Sequence, residues 1–313
     1  MRKREPGKQR VVQATEIERT GVRHADVQPE VEPEVQPEVQ PTSAISPGLP
    51  KRQGDLFRDV LMLFEGECWP YAVAGAFALR EHTGVSRFTK DLDLFLSPES
   101  ASQALAFLRE EGFKCEICDP VWLAKAHRDG YFVDLITGMS NGVMSVDASW
   151  IERARPANVL GVQSRVLAPE ELLASKLFVV RRERFDGADI AHILFATHGK
   201  LDWDRILELV GEHWELLLWA LVLFRYVYPA HSNYVPQFLW QDLLGRFSEQ
   251  VQVPNAGGGF RGGLIDDATF AIDVEEWGFE DILGEHRARR TRIEPVRGPG
   301  RSLHMAAPRK AAE

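Results

Sequence analysis

The sequence predicts a mixed α/β fold, an α+β core built on a mixed sheet and followed by a helical C-terminal region. Three observations carry this. Short apolar runs alternate with segments of helical period between residues 71 and 137. Helical period takes over beyond Val166. Apolar residues make up 44% of the 313-residue chain, enough to fill a sizeable core.

Residues 1–52 read as a disordered segment. A basic stretch (Arg2, Lys3, Arg4, Lys8, Arg10) opens it, and the repeat Pro29-Glu-Val-Glu, Pro33-Glu-Val-Gln, Pro37-Glu-Val-Gln follows. Proline at every fourth position forbids a regular helix, and the glutamates keep the segment solvated, so an extended spacer results. It is either a plain tail or an arm that docks a protein partner. Order begins near Gly54, with Asp55 capping a helix whose Leu56, Val60, Leu63 and Phe64 recur at helical spacing. Tyr71-Ala-Val-Ala is a short buried strand, Gly75 a turn, and Ala76 to His82 a helix. Asp91 to Leu96 is a strand and Pro98 to Glu111 a helix. Phe113 to Ile117, Val121 to Ala126 and Tyr131 to Thr137 are strands, the last two joined by a turn at Arg128-Asp129-Gly130.

Past Val166, Pro169 opens a helix with Glu170 and Glu171 at the positive end of its dipole. Helices are expected over 169–184, 187–197, 203–210, 213–227 and 236–247. The resulting division is a core over 53–168 and a helical region over 169–250 that completes the site. A Gly-rich connection with a short further segment follows over 251–285, then a mobile basic tail over 286–313. Trp203, Trp214, Trp219 and Trp240 are read as core residues rather than a ligand platform. Gly257 to Gly263 reads as a flexible connection, or alternatively a lid.

Charge and cysteine content narrow the function. A formal net charge of -9 argues against a general polyanion binder, although both ends are locally basic. Three cysteines are too few for a disulfide framework, and the start shows no leader pattern, so the cytoplasm is the expected compartment. The longest apolar run, Leu216 to Phe224, is far too short to cross a bilayer.

The chemistry centres on Asp91-Leu-Asp93. Residues two apart in a strand share a face, so both carboxylates project together while Leu92 and Leu94 enter the core. Carboxylates that close repel each other unless a cation lies between them, and magnesium prefers such hard oxygen ligands. Asp134 sits mid-strand among apolar neighbours and needs a partner there. Beside the first strand it would complete a cradle of three carboxylates for two metals. Gly75, between a strand and a helix, would let backbone N–H groups approach phosphate. Lys176 interrupts the apolar face made by Leu172, Leu173, Leu177 and Val180, so it either points inward or snorkels past them. Arg184, Asp186 and Asp189 lie close behind, with Asp186 equally readable as a helix N-cap.

Five segments in order carry a family resemblance: Val73-Ala-Gly-Ala-Phe-Ala, Arg87-Phe-Thr-Lys-Asp-Leu-Asp-Leu94, Phe132-Val-Asp-Leu135, Pro169-Glu-Glu-Leu-Leu-Ala-Ser-Lys176 and Arg184-Phe-Asp-Gly-Ala-Asp189. Together they resemble the nucleotidyltransferase superfamily related to DNA polymerase beta. More narrowly they are similar to bacterial nucleotidyltransferase-like proteins that include toxins of the AbiEii type. The resemblance covers about residues 55–197. It implies a polymerase-beta-like core with Asp91, Asp93 and Asp134 as magnesium ligands and catalytic residues. Gly75, Ala76, Thr89, Lys176 and Arg184 would contact the nucleotide. The implied reaction moves a nucleoside monophosphate from an NTP to an acceptor and releases pyrophosphate. Ala76 departs from the Gly or Ser usual after the turn glycine, which removes a hydroxyl but keeps the backbone N–H.

Other classes fit less well. A haloacid-dehalogenase-type phosphatase needs an apolar strand before its first aspartate, where this chain has Arg87-Phe-Thr-Lys90. A sugar-nucleotide glycosyltransferase would not call for Asp134 or the glycine turn. Cys115-Glu-Ile-Cys118 lacks a second Cys/His pair for zinc, and no phosphate-binding loop of the G-x-x-x-x-G-K-[ST] type occurs. The standing alternative is an inactive relative that binds a nucleotide or a protein. RNA, a protein and a small molecule all remain open as the acceptor.

Overall fold

The computed structural model describes residues 49–253, 255 and 257–296. The basic N-terminal stretch, the Pro-Glu-Val repeat and the tail beyond 296 lie outside the described residues.

The first helix, α1 (Lys51–Gly66), starts directly behind Pro50, three residues before Gly54 and inside the segment expected to be disordered. Proline at the helix entrance sets a helix-compatible φ and removes a donor that no carbonyl would accept. Asp55 therefore lies one turn inside and pairs with Lys51 at 2.8 Å instead of capping. Leu56, Phe57, Val60, Leu61 and Phe64 bury one face of α1. Each contributes about 1.5–3 kcal/mol of apolar burial.

Among the described residues, seven strands form one mixed sheet in the order β3-β4-β5-β2-β1-β7-β6. They are β1 (Ala72–Val73), β2 (Asp93–Phe95), β3 (Lys114–Asp119), β4 (Leu123–Arg128), β5 (Tyr131–Ile136), β6 (Arg155–Val159) and β7 (Val162–Val166). β1 runs antiparallel to β2 and parallel to β7, and β2 runs parallel to β5. The β4–β5 hairpin turns at Asp129-Gly130, both with positive φ, as the Arg128-Asp129-Gly130 signal predicts. The hairpin β6–β7 and the short helix α4 (Ala148–Glu152) have no counterpart in the sequence reading. Alternate residues of β6–β7 are exposed, and the turn is Leu160-Gly161 rather than an Asn-Gly pair, so the usual hairpin signal is missing.

Helices α2 (Gly75–Thr83) and α3 (Pro98–Glu110) flank the sheet. Ser97 caps α3 by accepting from the Ser100 N–H, with Pro98 in the first turn. α5 (Pro169–Lys176) ends eight residues before the expected 184. The chain then doubles back in a hairpin, closed by a bridge between Val180 and Phe185 and by reciprocal backbone bonds between Arg181 and Arg184. Helical propensity is overridden because the return brings Asp186 against Lys176, 2.9 Å from its ammonium. Glu170 and Glu171 do stand in the first turn of α5, but buried; Glu171 meets Arg153 at 3.1 Å and Arg205 at 3.0 Å.

The helical region follows as α6 (Gly187–Ala196), α7 (Trp203–Val210), α8 (Trp214–Val227) and α9 (Gln237–Gln250). Trp203 and Trp214 enter the core and Trp240 packs against it, whereas Trp219 is exposed beside Phe185. Among the described residues no helix is long and apolar enough to cross a membrane.

The glycine-rich connection is more ordered than its composition predicts. Gly262 and Gly263 are buried in α10 (Gly262–Asp266), where the Phe260 and Phe270 rings leave no room for a Cβ at 262. α11 (Ala271–Glu275) and α12 (Leu283–Ala288) come next. The first part of the expected mobile tail is anchored as well. Arg287 bonds Asp119, the Ile293 N–H donates to the Pro120 carbonyl, and the Ile293 side chain is buried. A basic composition does not reveal that these arginines find carboxylate and carbonyl partners on the core.

Candidate active site

The parallel pairing of β2 with β5 sets Asp93 directly beside Asp134. Asp91 stands just ahead of β2, which is shorter than the expected 91–96, yet ladder bonding continues there because the Asp134 N–H donates to the Leu92 carbonyl. The carboxylate oxygens of Asp91, Asp93 and Asp134 all come within 4.8 Å of one another. They form the floor of a cleft of about 210 Å³ whose walls include Trp122, Met139, Phe178 and Arg181.

Two of the three carboxylates, Asp91 and Asp134, are held from behind. The Thr89 hydroxyl lies 3.0 Å from Asp91 Oδ1 and 2.9 Å from the Asp91 carbonyl oxygen. The loop carrying Thr89 is fixed by buried Gln53 of α1, whose amide donates to the Lys90 carbonyl at 2.8 Å. Thr89 is thus placed behind Asp91. Asp134 accepts from the Lys125 ammonium at 2.6 Å, and that ammonium also lies over the Phe132 ring.

Gly75 sits where β1 becomes α2, with φ at +56°. Any Cβ there would run into the Asp93 carboxylate, so glycine is required twice over, by conformation and by space. No side chain caps α2, and its first N–H groups, Ala76 among them, are available to an anion near Asp93.

The electrostatics follow from crowding. Burial, and then the charges of Asp91 and Asp134, push the Asp93 carboxyl up to about 7. Burial also raises Asp134, against the opposing pull of Lys125. A divalent cation would relieve both, and three carboxylates with no nitrogen or sulfur donor match the preference of magnesium.

Lys176 lines the cleft but is buried, and its ammonium is shared between Asp186 at 2.9 Å and Asp189 at 2.7 Å. Burial lowers its pKa, partly offset by Asp186. Arg184 reaches the same Asp186 through two bonds of 3.0 and 2.9 Å while its side chain stays 66% exposed. Arg87 pairs with Asp189. Asp186 flanks α6 at its start, yet its side chain makes no capping bond and serves this ionic network instead. The structure therefore places Gly75, Asp91, Asp93, Asp134, Lys176 and Arg184 on one cleft, whereas Ala76 and Thr89 lie outside its lining.

Sequence reasoning missed Lys125, Gln53 and Arg181. Lys125 was within reach of the hairpin logic, since a turn at 129–130 pairs 128 with 131 and hence 125 with 134. Gln53 and Arg181 carry no local signal. Arg181 borders the cleft because its guanidinium donates to the Ser140 hydroxyl at 2.7 Å, across a gap of forty-one residues in sequence.

Residues 82–225 match the model of a family described as uncharacterised nucleotidyltransferase. That stretch contains Asp91, Asp93, Asp134, Lys176 and Arg184 and leaves Gly75 and Ala76 outside. No curated protein matches the chain. Among solved structures, the antibiotic-resistance factor ANT(2'')-Ia is 17% identical over 58% of this chain and 96% of its own, with a TM-score of 0.38. The lincosamide antibiotic adenylyltransferase LnuA, in its lincomycin-bound form, is 18% identical over 46% and 96%, with a TM-score of 0.34. A putative nucleotidyltransferase from Thermotoga maritima is 18% identical over 37% and 78%, with a TM-score of 0.30.

Proposed function

We propose that this protein is a magnesium-dependent nucleotidyltransferase that moves a nucleoside monophosphate from an NTP to an acceptor and releases pyrophosphate. The observation that carries this is the convergence of Asp91, Asp93 and Asp134 within 4.8 Å beside the uncapped start of α2. The match of the surrounding segment to a nucleotidyltransferase family supports it. The all-oxygen donor set fits magnesium, which when bound would neutralise phosphate charge and lower the pKa of a coordinated oxygen.

The protein's own groups would divide the work as follows. Asp91 and Asp93 would hold the metal, and Thr89 and Gln53 keep Asp91 aimed. Asp134 would complete the cradle. The N–H groups of Gly75 and Ala76 receive phosphate oxygens, with Arg184 and Arg181 reaching them from the opposite wall. Lys176 acts by fixing Asp186 and so the angle of Arg184, adding its positive charge through the cleft wall. An acceptor oxygen attacks the α-phosphorus and gives its proton to water, the bond to the bridging oxygen breaks, and pyrophosphate leaves with that oxygen. The acceptor, whether RNA, protein or small molecule, is left open by a cleft that combines charge with the apolar surfaces of Trp122, Met139 and Phe178.

The alternative, nucleotide binding without transfer, draws on Lys125 already neutralising Asp134 and on Ala76 lacking a hydroxyl. Incubation with Mg²⁺, each labelled NTP and a broad acceptor set separates the two readings. Pyrophosphate release that disappears in Asp91→Asn and Asp93→Asn, with both variants folded, supports transfer. Silence of the wild type with every NTP, together with Mg-dependent nucleotide binding, would establish the binding reading instead.

A further inference from the structure

A second group of metal-ligating side chains lies apart from the three aspartates. Glu212 and His213 come from the short 3-10 turn Gly211–His213 that joins α7 to α8, and His286 comes from α12, more than seventy residues later. Their ligand atoms all lie within 4.8 Å of one another. His213 is only 6% exposed. Its ring faces that of His286 at 5.7 Å, and Phe178 packs edge-on against it at 5.2 Å.

We propose that Glu212, His213 and His286 form a binding site for a divalent transition metal, zinc in the first place, that fastens α12 to the helical region. Two imidazole nitrogens and one carboxylate oxygen suit zinc and disfavour magnesium, which seeks an all-oxygen shell. Ligands at about 2.0–2.2 Å from zinc lie within about 4 Å of one another, so small rotations of the three side chains close the set. Arg261 supports this arrangement. It donates to Glu212 Oε2 at 2.9 Å, which orients the carboxylate and leaves Oε1 for the ion. Water would supply the fourth ligand.

The position gives the ion a consequence for the cleft. Arg287, next to His286, bonds Asp119 at 2.8 Å and the Ser140 carbonyl, and Ser140 is part of the cleft wall. Phe178 lines the same cleft while its ring rests on His213. Zinc at this site would lock two parts of that wall in place without touching the three aspartates.

Cobalt(II) titration of the full-length protein tests the site, because Co²⁺ held by nitrogen and oxygen ligands in a four-coordinate shell absorbs strongly in the visible. The expected result is one equivalent of absorbing Co²⁺ per chain, displaced by Zn²⁺ and unaffected by excess Mg²⁺. The band should persist in Asp93→Asn and bind at least tenfold more weakly in Glu212→Gln and in His286→Gln. Both of these change partly or fully exposed residues, so folding checked by circular dichroism should survive, which is less assured for His213→Gln. No visible band in the wild type would overturn the proposal. So would a band that survives His286→Gln in a folded protein, or one lost only in Asp93→Asn.

Discussion

Replacing Asp93 by Asn tests the electrostatic account of the aspartate cluster directly. The folded protein holds the Asp93 carboxyl up to about 7, against an ordinary value of 3.8. A gap of about three units corresponds to about 4 kcal/mol. Asp93 still meets water through the cleft, and that screening leaves about 2 kcal/mol as the expected effect. The sign follows from where the proton sits. Between the two values the folded state keeps a proton that the unfolded chain has released. Stability from this group is therefore complete below about pH 4 and is lost as pH rises toward 7. Asparagine imitates the protonated acid at every pH, so the EDTA-treated variant should melt above the wild type. The difference should be a little over a third of its final size at pH 5 and reach a plateau of about 4–8 °C by pH 8. Magnesium should raise the wild-type melting temperature, more at pH 8 than at pH 6, and leave the variant nearly unmoved. Thermal melts followed by circular dichroism at several pH values make the measurement. A variant less stable than the wild type at pH 8, or a difference independent of pH, would refute the reasoning.

Two further substitutions probe how the site is held. Gly75→Ala meets both an unfavourable φ of +56° and the Asp93 carboxylate, and should cost about 2 kcal/mol or more while weakening magnesium binding by isothermal calorimetry. An unchanged magnesium affinity would show that the close approach of α2 to Asp93 is dispensable. Lys176→Met keeps the volume but strands Asp186 and Asp189 with fewer counter-charges, so urea melts should show a loss of about 3–5 kcal/mol, and a neutral result would mean that Arg87 and Arg184 carry the network alone.

The aspartate cluster shows what a linear reading can reach. A period of two places Asp91 and Asp93 together, and the demand of a mid-strand carboxylate for a partner picks out Asp134. Both arguments are local, and β-pairing merely had to bring the two segments side by side. Lys125 was implied by the same hairpin arithmetic. The end of α5 at Lys176 was not. Residues 177–184 continue an acceptable helical pattern, and only the pull of Asp186 and Asp189 on a buried ammonium turns the chain back. The β6–β7 hairpin was silent for a different reason, since its edge position leaves alternate residues exposed and its turn lacks the expected chemistry.

The sequence alone indicated the fold class and the three carboxylates that the sheet brings together. Periodicity and the cost of burying charge are encoded within a few residues, so they can be read without coordinates. Tertiary structure alone decided that Lys176 is engaged by two aspartates, that Gln53 of α1 supports the loop of Asp91, and that residues 260–296 brace the cleft. The meeting of His213 with His286 belongs there too. Each of these pairs residues that are remote in the chain or local signals that compete, and only the packed core settles which contacts win.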